Sequence, residues 1–329
     1  MKEKVKVMKK VQIALSILLT LAAAITVGCG DSGVPVFNNM AFISSRSVTP
    51  ATRLFVMTTT GTNVAPVPFS TTDVYSPSVS FDLKMVAFES AGDVWVSNAD
   101  GSTQTQLTTD GSHYWVKISP DGAKILYNAW DETAGNDGIW VMKADGTGSL
   151  NLTSGLINSS TWCRSGSFSA DSKLIIFSCD SNSAGNIYTV KTDGTSQASV
   201  FTQDQYVDNP AFSPDGKKIF FVSFEVPVPA GQKKRSLPLA HLRAHRFAPN
   251  TASSFTYGVV SVDRDGSNLA VLASGAYESQ VLNNTLYYTF WNSDLNVSQI
   301  YMSNLDGTNA VALTDGSSDD YLGVESVEF

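Results

Sequence analysis

Six short stretches of this sequence carry the side chains best suited to chemistry, each just ahead of an apolar run. They are Tyr75; His113, Tyr114 and Trp115; Trp162 and Arg164; Tyr206 and Asp208; Tyr277 and Glu278; and Asp320 and Tyr321. Carboxylates, a guanidinium and an imidazole converging on one mouth could move protons or hold a cation, and the aromatics could stack on a sugar or bury a peptide segment. Signatures of covalent or zinc-dependent hydrolysis are absent, since neither G-x-S-x-G nor H-E-x-x-H occurs. His241 and His245 stand four apart, but no neighbouring glutamate or cysteine completes a set of ligands, so neither metal nor cofactor is expected.

A repeat must position these residues. Apolar runs that mostly carry an aromatic end in glycine turns at Gly61, Gly101, Gly146, Gly194, Gly266 and Gly307, spaced 40, 45, 48, 72 and 41 residues apart. That period suits a four-stranded propeller blade and is too long for ankyrin or leucine-rich units. The unit is clearest at residues 209–223, where Pro214-Asp215-Gly216 supplies a turn between two strands; proline presets one position and glycine accepts positive φ. With strands lettered a to d, the a–b and c–d turns share one face and the b–c and d–a connections share the other. Strand c offers Phe55, Trp95, Trp140, Tyr188, Val260 and Tyr301 at one register, which predicts packing between neighbouring sheets.

The fold class predicted is all-β: a six-bladed propeller of four-stranded antiparallel blades over residues 39–329, closed by pairing Leu322–Phe329 with Asn39–Ser45. The chemically equipped stretches then gather on the face of the b–c and d–a connections. One b–c loop, at about 225–255, is longer than the rest and strongly basic through Lys233, Lys234 and Arg235. Connecting loops commonly carry function, so this face is the expected binding surface.

At the N-terminus, five lysines precede an apolar run that ends in Gly28-Cys29, which reads as an export signal over residues 1–28 followed by a short tether, 29–38. Without the first 28 residues the chain keeps 17 basic and 29 acidic side chains, a balance of −12 that argues against general nucleic-acid binding. Export permits oxidation of Cys163 and Cys179, which flank a hairpin centred near Asp171-Ser172 and would face each other across it.

The SPDG turns at 119–122 and 213–216, the aromatic c strands and the pairs Leu107-Thr108, Leu152-Thr153 and Leu313-Thr314 resemble the TolB-like propeller repeat. Gly28-Cys29 resembles the lipobox of bacterial lipoproteins, which implies acylation at Cys29 and, with Gly30 next, sorting to the outer membrane facing the periplasm. TolB carries an N-terminal α/β domain where this sequence reads only as a tether. A closed propeller with a lipidation signal and no catalytic constellation reads as a monomeric, lipid-anchored envelope scaffold that binds another envelope protein without catalysis. A glycan-binding module, or a glycan lyase or hydrolase using the channel mouth for a small ligand, is the alternative.

Overall fold

The computed structural model describes residues 39–44, 54–67, 74–82, 84–181, 184–224, 257–282, 284–292, 295, 297–317 and 320–322. The leader (1–28), the tether (29–38) and the basic insert with Lys233, Lys234, Arg235, His241 and His245 lie outside the described residues. Among the described residues no helix is long and apolar enough to cross a membrane.

The strands run in chain order β1 (Asn39–Ser44), β2 (Leu54–Thr58), β3 (Ala65–Pro66), β4 (Tyr75–Val79), β5 (Met85–Ser90), β6 (Asp93–Asn98), β7 (Thr105–Gln106) and β8 (His113–Ile118). They continue as β9 (Lys124–Asp131), β10 (Asn136–Lys143), β11 (Leu150–Asn151), β12 (Thr161–Phe168), β13 (Leu174–Ser181), β14 (Ala184–Lys191), β15 (Ala198–Gln203) and β16 (Val207–Phe212). The last are β17 (Lys218–Ser223), β18 (Gly258–Asp263), β19 (Ala270–Ser274), β20 (Ala276–Leu282), β21 (Thr285–Asn292), β22 (Val297–Asn304), β23 (Val311–Ala312) and β24 (Asp320–Tyr321). They fall into six four-stranded sheets: β4–β7, β8–β11, β12–β15, β16–β19, β20–β23, and β24 with β1, β2 and β3. We number the sheets first to sixth in that order. Every pairing is antiparallel, and the molecule is a β-propeller of four-stranded blades. Successive sheets touch through β4 and β8, β8 and β12, β12 and β16, β16 and β20, β22 and β24, and β1 and β4.

In the sixth sheet, residues from both ends of the chain meet. Ser44 pairs with Asp320 and Ile43 with Tyr321, so the strand begins two residues ahead of the expected Leu322; residues 323–329 lie outside the described ones.

The recurring motifs have specific structural roles. In each a–b turn of the S-x-D frame a serine hydroxyl donates to the aspartate and accepts an N–H of the next strand. Ser213 Oγ gives 2.6 Å to Asp215 and takes 2.9 Å from Lys218 N, and Ser119 repeats this with Asp121 and Lys124. Leu-Thr pairs follow three of the two-residue d strands, β7, β11 and β23. Leu107, Leu152 and Leu313 donate N–H bonds of 2.8 Å to Val94, Ile139 and Ile300, while the next hydroxyl, on Thr108, Thr153 or Thr314, accepts the N–H of that same c-strand residue. A two-residue strand is thereby fastened as it turns away. At the strand-c register singled out above, Phe55 and Val260 are buried, while Trp95, Trp140, Tyr188 and Tyr301 are half-buried against the neighbouring sheets.

Cys163 and Cys179 form a disulfide with their Cα atoms 4.0 Å apart. Near the turn Phe168 faces Ile175, a register that would place Cys163 opposite Asp180. A bulge between Arg164 and Gly166, with Ser165 at φ 42°, absorbs one residue and sets Cys163 against Cys179.

Candidate functional site

The inner strands β4, β8, β12, β16 and β20 each carry a bulge at the same place, between Tyr75 and Ser78, Tyr114 and Lys117, Arg164 and Gly166, Asp208 and Ala211, and Ala276 and Glu278. Four of them hold a left-handed residue, Ser76, Trp115, Ser165 and Asn209. For tryptophan this conformation is a rare expense that surrounding structure must impose, and a bulge of this kind re-aims the side chains beside it.

Trp115 is accordingly buried, and it joins an apolar cluster with Phe55, Met57, Tyr287, Ile300 and Leu322. Those partners belong to the fifth and sixth sheets or follow β24, whereas the indole N–H of Trp115 points to Gly166 O of the third sheet at 3.4 Å. The ring thus spans the centre of the assembly. Beside it, Lys117 Nζ lies 5.6 Å from the indole centroid and interacts electrostatically with Glu278 of the fifth sheet. Burial pulls the lysine down to about 8, against the opposing pull of Glu278. Burial likewise raises Glu278 to about 7; hydrogen bonds from Thr289 and Leu322 N, and the charge of Lys117, work the other way, and Asp208 adds to the rise. Glu278 Oε2 accepts from Thr289 Oγ1 at 2.5 Å and from Leu322 N at 3.2 Å, and its Oε1 makes no hydrogen bond.

An ion pair continues the network. Arg164 Nη2 is 3.1 Å from Asp180 Oδ2, which burial raises to about 7 despite that arginine, with Asp208 contributing to the rise. Asp208 accepts from Ser165 Oγ and from Asn209 N, and the Asn209 amide reaches Ser279 O of the next sheet at 2.8 Å.

The expected binding residues therefore divide. Trp115, Asp208, Tyr277 and Glu278 are buried, contrary to the reading of them as a presented face, because they lie at the bulges of the inner strands; Asp320 is buried on β24, where it pairs with Ser44. Tyr277, for example, donates to Ser298 Oγ within the core. Tyr75, Tyr114, Trp162, Arg164 and Tyr206 are partly buried, and the His113 side chain keeps 10% exposure; the side chain of Tyr321 lies outside the described ones. Arg164, Asp208 and Glu278 share one electrostatic network, whereas His113 stands apart with Asp93 and Asp110.

On the b–c and d–a face the aromatics form a run. Trp162 and Tyr206 have ring centroids 6.1 Å apart, Tyr206 and Phe224 6.0 Å, and Phe224 and Tyr257 4.7 Å. Phe224 and Tyr257 bracket the basic insert, so the run lies at its root. Both were missed in the sequence, as were Lys117 and Asp180. Their positions at the ends of b and c strands could have revealed the first two, but nothing local marks the other two.

The TolB beta propeller domain family matches residues 36–231. Among curated proteins, a TolB homolog from Chlorobium luteolum is 34% identical over 127 residues, which is 38% of this chain and 27% of that protein's length. Among solved structures, TolB from Acinetobacter baumannii superposes with a TM-score of 0.65 at 20% identity, covering 88% of this chain and 67% of that one. A chain of the nidogen/laminin complex gives 0.59 at 13% identity, covering 86% and 96%. At these identities the two structures share the fold.

Proposed function

The chain belongs to the TolB beta propeller domain family, and from that premise we propose that it is a non-catalytic protein-binding scaffold of a bacterial envelope. It is lipid-anchored at Cys29, forms a closed ring of six blades, and presents the face of its b–c and d–a connections to an acidic partner. The observation that carries this reading is the aromatic run Trp162, Tyr206, Phe224 and Tyr257 at the root of a loop bearing Lys233, Lys234 and Arg235. Aromatic anchors beside a charged loop are the ingredients of a protein interface, the first giving affinity and the second steering and salt dependence. Against a glycan in the channel stand Trp115, whose ring is buried in a cluster with residues of the fifth and sixth sheets, and Arg164, already committed to Asp180.

The test is affinity capture from detergent-solubilised envelope. Deleting residues 231–250, reversing the charges of Lys233, Lys234 and Arg235, or replacing Tyr206 with Ala should each weaken capture of the same partner. Lys217→Glu, at an exposed a–b turn on the opposite face, should leave it unchanged. Equal losses from both faces, or none from either, refute the assignment.

A further inference from the structure

Asp93 opens β6, Asp110 lies in the connection between β7 and β8, and His113 opens β8; one donor atom from each lies within 4.8 Å of the other two. His113 Nδ1 is 2.9 Å from Asp110 Oδ1 and 3.6 Å from Asp93 Oδ1. Two ligands of one tetrahedral zinc ion, each at its usual bond length, stand roughly 3.3 Å apart, so the observed separations fall on either side of that spacing. The imidazole is nine-tenths enclosed, at 10% exposure, and its Nδ1 makes no hydrogen bond even though Asp110 Oδ1 is near, because the two are not aligned for one. A buried ring nitrogen without a partner is costly. A cation seated between nitrogen and oxygens would use that lone pair, and oxygens beside the donor direction rather than on it are what chelation requires.

The surroundings have the form of a supporting shell. Asp93 Oδ1 accepts from Thr108 Oγ1 at 2.9 Å and from Gly111 N at 3.1 Å, and its Oδ2 accepts from Gln106 Nε2 at 3.0 Å. These bonds orient the carboxylate as outer partners orient metal ligands. The backbone is equally constrained: His113 N donates to Gly92 O at 2.8 Å, and a Cβ on Gly92 would come within 2.5 Å of Gly111 O. Asp110, 69% exposed, faces solvent.

We propose that Asp93, Asp110 and His113 form a binding site for a divalent transition metal, with Zn²⁺ the best match to one imidazole and two carboxylates; an all-oxygen set would instead favour Mg²⁺ or Ca²⁺. This revises the sequence expectation of no metal. The ion ties the β5–β6 turn of the first sheet to the start of the second, and its remaining coordination positions open toward solvent beside Asp110.

The test is calorimetric titration of the chelator-treated full chain with Zn²⁺, carried out in a His241→Ala, His245→Ala background so that the insert cannot supply the site. One saturable equivalent is expected, with a melting temperature that rises with free Zn²⁺. Asp110→Asn, chosen because the residue is exposed and its loss does not threaten folding, should weaken binding at least tenfold, and His113→Ala should abolish it. Absence of saturable binding, binding unchanged in both variants, or equal affinity for Mg²⁺ overturns the proposal.

Discussion

Replacing Glu278 with Gln should remove much of the pH dependence of stability. The carboxyl titrates at about 7 in the folded protein against 4.5 in the free side chain, chiefly because it is buried. Between those values the folded protein keeps a proton that the unfolded chain has released, so stability must fall as pH rises through that window. A shift of this size corresponds to about 3 kcal/mol. Glutamine suits the site: its carbonyl oxygen can accept from Thr289 Oγ1 and Leu322 N as Oε2 does, and its amide nitrogen takes the place of Oε1, which makes no hydrogen bond. Denaturant unfolding at acid and mildly alkaline pH should give similar stabilities for the two proteins at the acid end. At the alkaline end the variant should be the more stable, by up to about 3 kcal/mol. A slope should persist in the variant, because Asp180 is raised into the same range and has the same sign. Lys117 acts in the opposite sense: lowered to about 8, it returns stability as pH climbs from there toward 10.5. Lys117→Met, which removes the cation that favours the Glu278 carboxylate, should extend the decline to higher pH. Parallel curves for wild type and Glu278→Gln would refute the reasoning, since the carboxyl would then titrate as in the unfolded chain.

Three further outcomes are expected. Gly307→Ala should cost about 2 kcal/mol or more in thermal or denaturant unfolding, because φ is 80° and the new Cβ would lie 2.6 Å from Leu272 O of the adjacent sheet; Gly135→Ala, at φ 68° with nothing within 4 Å, should cost only the backbone part. Reduction, or Cys163→Ala with Cys179→Ala, should lower stability by about 3 kcal/mol, and thiol labelling of the denatured, unreduced exported protein should find both cysteines blocked. Cys29→Ser should give an unacylated chain that, if still cleaved, leaves the membrane fraction in alkali; unchanged partition would indicate a spanning leader instead.

What could be read from the sequence was whatever the chain decides locally. Ser213-Pro-Asp-Gly216 forms the same turn wherever its register recurs, and Leu313-Thr314, following the Gly307 turn, fastens a d strand to strand c through one N–H and one hydroxyl. These elements mark out the sheets. The centre was not legible, because its geometry is set by bulges whose left-handed positions are held by Ser76, Trp115, Ser165 and Asn209 rather than by glycine. An extra residue on strand a reverses which side chains point inward, so strict alternation mistakes Trp115 and Glu278 for presented groups. The same feature helped elsewhere by bringing Cys163 opposite Cys179. The remaining chemistry joins residues from different sheets: Lys117 to Glu278 across the axis, and Asp93 to His113 across a seam. No spacing along the chain encodes such pairs, since each depends on how many sheets separate the two repeats in the ring and on where the inner bulges fall. This chain therefore displays its architecture in its repeat and the geometry of its centre in the departures from that repeat.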